Sequence, residues 1–159
     1  MPNLTLAVAQ YKIDGFNWPK VHVALVAFVP NHPQTYIFQL WGNTDTFAFQ
    51  YAETSHFLKS GRLQGGVKIG EVASEAVTSG WLRQVLNDRV RVRRRDPNYN
   101  CQVWLLDAVR ELQQYRDRVF IFQEFNRDWL LRALQHQYQT WEQANDHYFE
   151  TVMPPVPRS

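Results

Sequence analysis

The chain has 159 residues, 45% of them hydrophobic and 14% aromatic, with a formal net charge of +2. That length is one domain's worth, and that ring content calls for a packed core or pocket and excludes a disordered polymer. The small net charge leaves no overall electrostatic footprint for nucleic acid. A single cysteine, Cys101, cannot close an internal disulfide. With no charged-then-apolar leader and no apolar run long enough to cross a bilayer, the expectation is a cytoplasmic protein without a membrane span.

Leu4–Ala9 reads as a short first strand, and Asp14-Gly15-Phe16-Asn17-Trp18-Pro19 carries the punctuation of a loop. The run Val21–Val29, apolar apart from His22 and ended by Pro30-Asn31-His32-Pro33, predicts a strand buried on both faces. Thr35–Trp41 predicts a strand ending at Gly42-Asn43. Thr46–Ala52 predicts another, with Phe47, Phe49 and Tyr51 on one face. Strands so closely spaced predict an antiparallel meander. Gly65-Gly66 is expected to break the chain before a strand over Val67–Val72, in which Gly70 suits a bulge.

Helical periodicity begins near Thr78, the expected N-cap of a short helix carrying Trp81, Leu82, Val85 and Leu86. Arg89–Arg93 alternates with period two and predicts a further strand. Asn100 is placed to cap a helix reaching about Tyr115, with Trp104, Leu105, Ala108 and Leu112 as its buried stripe. A last helix, capped by Asn126, aligns Trp129, Leu130, Ala133, Leu134, Tyr138 and Trp141. The prolines after Met153 cannot continue it. The expected architecture is a single α+β domain over residues 1–153, an antiparallel sheet of four to six strands packed on two or three helices, with a flexible tail over 154–159.

The chemical lead is Cys101, in the first turn of the helix that Asn100 caps. Backbone N–H groups at a helix start have no intrahelical partner and favour a thiolate, lowering a cysteine pKa where solvent reaches the sulfur. His22 is the candidate base, and Gln39, on the neighbouring strand, is the candidate to orient it or to donate to an oxyanion. Each residue also has a plainer reading. Cys101 can be an inert thiol beneath Trp104 and Leu105, His22 can bond a loop carbonyl, and Gln39 can face water from an edge strand.

Other chemistry has less support. His32, His56, His136 and His147 follow no metal-ligand spacing, and no glycine-rich phosphate loop or carboxylate pair occurs, so neither a metal nor a cofactor is expected. Arg89, Arg91, Arg93, Arg94 and Arg95 form the one basic cluster, with Tyr99 near enough in sequence to stack on a base. A nucleic-acid surface there ranks below a charged edge that discourages aggregation. The partner classes are therefore a small-molecule or peptide substrate first and nucleic acid second, with the oligomeric state unread. A non-catalytic small-molecule or protein-binding domain, or an isomerase using the same ring-lined cleft, is the alternative to a thiol enzyme.

The order His22 strand, Gln39 strand, Cys101 helix resembles the circularly permuted branch of the papain-like superfamily, typified by lecithin retinol acyltransferase-like proteins. Asn100-Cys101 matches the opening of that branch's cysteine motif. The chain departs from it at Gln102-Val103-Trp104, where the acyltransferases carry an acidic residue and a histidine, and in lacking a second histidine over Tyr36–Trp41. From Val21 to Trp141 the chain also resembles small uncharacterised fungal proteins. The shared segments are His22-Val23-Ala24-Leu25, Ile69-Gly70-Glu71-Val72 and Asn100-Cys101-Gln102-Val103-Trp104. These resemblances imply a fungal cytosolic protein with a permuted papain-like fold, acting as a cysteine-dependent hydrolase or acyl transferase through Cys101, His22 and Gln39 on an amide or ester they leave unidentified.

Overall fold

A computed structural model of the chain describes residues 3–13, 15, 20–30, 32–57 and 62–141. The β-branched and aromatic runs form β1 (Asn3–Lys12), β2 (Val21–Phe28), β3 (Thr35–Trp41), β4 (Ala48–Thr54) and β5 (Leu63–Ala73), followed by β6 (Val119–Ile121). They make one six-stranded sheet in the order β4-β3-β2-β1-β5-β6, with every neighbouring pair antiparallel. Four helices accompany it: α1 (Ser74–Thr78), α2 (Trp81–Arg89), α3 (Cys101–Leu112) and α4 (Arg127–Trp141). The protein is thus α+β, with the meander over β1–β4 that short connections favour.

Alternation along the strands divides the apolar residues between the two faces. Leu6 and Val8 of β1, Val21, Val23 and Leu25 of β2, and Phe38 and Leu40 of β3 join the buried stripes of the helices in the main core. From α3 come Trp104, Leu105, Ala108, Val109 and Leu112, all fully buried. Ala7, Ala9, Val26 and Phe28 face the other way and pack with Phe57 and Leu63 in a smaller cluster. Gln10, on the helix side, is tied down by donating from Nε2 to the Leu134 carbonyl of α4 at 2.7 Å.

Several local expectations are corrected. Gly65 and Gly66 lie inside β5; Gly65 adopts φ 93°, and the register with β1 slips there without ending the strand. A second slip, between Gly70 and Lys68, is the bulge that Gly70 suggested. Gly70 is also required for space, because a Cβ there would overlap the Phe120 carbonyl oxygen of β6. Thr78 ends α1, and the N-cap of α2 is Gly80, in a left-handed conformation.

Arg89–Arg93 is not a strand. Arg89 closes α2, and the residues after it form a loop whose hydrogen bonds go elsewhere. Arg94 Nε donates to the Phe47 carbonyl at 2.9 Å, and the Arg95 N–H donates to the Thr44 carbonyl at 2.8 Å. Arg93 lies 3.8 Å from both Asp96 and Asp107 and 5.4 Å over the Tyr99 ring. The arginine loop is thereby fastened to the β3–β4 turn. Asn126 does cap α4, its Oδ1 accepting from the Trp129 N–H at 2.9 Å. The expected tail, 154–159, lies outside the described residues, as does most of the Asp14–Pro19 loop.

Candidate functional site

β2 pairs with β1 over its whole length, but its register with β3 covers Leu25–Phe28 against Thr35–Phe38 and goes no further. The first half of β2 is therefore left to side-chain partners along the β3 side. Cys101 supplies one from the helix layer. Asn100 Oδ1 accepts from the N–H groups of Gln102 and Val103, both at 3.0 Å, which starts α3 at Cys101 and fixes the thiol in its first turn. The Cys101 Sγ donates to the Val21 carbonyl at 3.7 Å.

Burial pushes the Cys101 thiol above its ordinary value of 9.0, although the backbone N–H groups of Val23, Cys101 and Gln102 pull the other way by favouring a thiolate. The lowering expected from a helix start is present as a force, but desolvation exceeds it.

His22 supplies the second partner, from the opposite face. Val21 and Val23 belong to the helix-side core, so alternation directs the imidazole between them away from α3. Its Nε2 lies 2.7 Å from Gln39 Oε1, and Gln39 Nε2 donates to Gln50 Oε1 at 2.7 Å. This chain crosses three adjacent strands. Because Gln39 Oε1 can only accept, the imidazole proton sits on Nε2 and Nδ1 keeps its lone pair. Tyr11, paired with His22 across β1, and Trp41 flank the ring at centroid distances of 5.8 and 6.1 Å. Burial lowers the His22 pKa below 6.5 by more than the Gln39 bond raises it.

His22 and Gln39 are thus joined directly. The sulfur of Cys101 is hydrogen-bonded to the β2 backbone beside His22, not to the imidazole. All the same, His22 and Cys101 border one cleft of about 690 Å³, together with Lys20, Asn100, Gln102 and Arg127. Since burial keeps both groups neutral, the pair rests as thiol and imidazole with no ion pair preformed.

Gln39 does not face water from an edge: β3 is an interior strand and Gln39 is buried. Gln50 and Tyr11 were not anticipated. The signal for Gln50 is a lone amide between Phe49 and Tyr51 whose register sets it opposite Gln39. Tyr11 requires β1 to run past Ala9. Among the described residues no group of three or more His, Cys, Asp or Glu is placed to hold a metal, and no helix is long and apolar enough to cross a membrane. His147 lies outside the described residues. Comparison with protein-family models, with curated proteins and with solved structures finds no match.

Proposed function

We propose that the protein is a cysteine-dependent hydrolase or acyl transferase acting on an amide or ester through Cys101 and His22. The observation that carries this reading is the Nε2–H to Gln39 Oε1 hydrogen bond, which leaves Nδ1 as the base on a residue that shares a cleft with the thiol. When a carbonyl substrate enters, the Cys101 S–H proton passes to Nδ1 and the sulfur forms a bond to the carbonyl carbon. The helix-start N–H groups stabilise the oxyanion. Collapse breaks the bond to the alcohol or amine, which leaves with the proton from His22. Water or an acceptor then cleaves the thioester, again with His22 as base. Gln39 holds the tautomer throughout. A permuted papain-like origin, with a fungal cytosolic setting, fits the His-strand-before-Cys-helix order and supports the same reading.

A non-catalytic binding domain is the second reading, favoured by the thiol's bond to the Val21 carbonyl and by its raised pKa. An activated ester decides between them. With p-nitrophenyl acetate, the enzyme reading expects one equivalent of p-nitrophenol per chain in a burst and a hydroxylamine-labile acetyl group mapped to Cys101, both absent from Cys101→Ala. Slow turnover without a burst, or acetylation confined to lysines, supports the binding domain.

A further inference from the structure

A second cleft, of about 570 Å³, opens on the side of His22 where Gln39 and Trp41 lie. That is room for a ligand of small-molecule size. Its walls are rings and aliphatics: Tyr11, His22 and Trp41 meet at tilted and edge-on angles, with Ile37 beside them. Trp41 is 56% exposed, although tryptophan usually earns its place by burial. At the rim the Lys12 N–H donates to the Arg62 carbonyl at 2.7 Å, which brings two cationic residues side by side, and no lining residue is acidic.

We propose that this cleft binds a flat apolar group carrying a carboxylate, the group stacking on Trp41 and the carboxylate meeting Lys12 and Arg62. An exposed indole face gains by covering a planar apolar ligand, and paired cations without a local counter-charge favour an anion over its neutral isostere. His22 borders both clefts, so a ligand seated here reaches the ring that faces Cys101's cleft. That this group is the recognition element of the thiol's substrate rests on the proposed enzyme. Binding itself does not.

The test is calorimetric titration of the intact chain at low salt with 1-naphthoate and with 1-naphthylmethanol. The carboxylate is expected to bind about tenfold more tightly than the alcohol. Trp41→Ala should weaken both by about tenfold, while Trp41→Tyr, which keeps a ring and guards against misfolding, retains most of the affinity. Lys12→Gln with Arg62→Gln should erase the preference for the carboxylate and leave the alcohol's affinity unchanged. Equal affinities for acid and alcohol, no binding of either, or indifference to Trp41→Ala overturns the proposal. Naphthoate binding without an acetyl burst keeps this site and removes the enzyme; a burst without naphthoate binding does the reverse.

Discussion

Along β2, eight successive residues pair with β1, whereas four pair with β3. On the β1 side the partners include small aliphatic residues such as Ala7, Ala9 and Val26, all fully buried, and the ladder leaves no backbone group for anything else. On the β3 side the ladder stops at Leu25, and a thiol and an imidazole–amide chain stand where it would have continued. A hydrogen bond held by a side chain can be exchanged for one to a ligand at the cost of a rotamer change. One held by a strand requires the sheet to part. The difference explains why the chemistry gathers at one end of a single inter-strand gap while the rest of the sheet is inert.

The largest expected effect lies in the gap. His22→Ala should slow acetylation of Cys101 by about 10²–10⁴-fold, the usual contribution of a general base, with little change in the melting transition. A comparable loss of rate from a substitution on the β1 side, such as Ala9→Gly in the folded protein, would dissolve the distinction. For stability the ranking reverses. Gly70→Ala in β5 should cost about 2–3 kcal/mol, because β6 must move off the Phe120 carbonyl, and chemical denaturation reads this directly.

Gln39→Leu sits between the two. It strands the buried amide of Gln50 and the His22 Nε2–H, for a cost of about 1–3 kcal/mol, and frees the imidazole to change tautomer. An acetylation rate equal to that of the parent would show that the orientation is dispensable. Smallest is Arg93→Gln. Its ion pairs are long and partly exposed, so unfolding should shift by less than about 1 kcal/mol.

Stability against pH sharpens the comparison further. His22 is held neutral in the fold, so the unfolded chain binds its proton first, and stability should fall as pH drops below 6.5. Cys101 is held protonated, so the unfolded thiol ionises first, and stability should also fall as pH rises above 9.0. Denaturation midpoints of His22→Gln and Cys101→Ala across that range should each lack one of the two limbs.

Much of the fold was legible because the hydrophobic period is strong. Thr35–Trp41 matches β3 end to end, and the caps at Asn100 and Asn126 carry their own mechanism. Arg89–Arg93 misled because five alternating residues satisfy a strand's period as well as a helix end and loop. Contacts to Thr44, Phe47 and Asp107, which no local pattern encodes, decided between them. In the site, His22 and Gln39 could be matched because both lie on strands whose order the meander fixes. Burial of Cys101 could not be read, since the helix dipole acts locally whereas desolvation depends on what packs above the helix start.

The most direct measurement is the ¹⁵N resonance pair of the His22 ring, followed through a pH titration in the parent chain and in Cys101→Ala. A neutral ring protonated on Nε2, with a midpoint below 6.5 that Cys101→Ala leaves nearly unchanged, is the result expected of a general base poised beside a neutral thiol. A proton on Nδ1 would contradict that account. So would an imidazolium that persists above pH 7 and collapses when the thiol is removed.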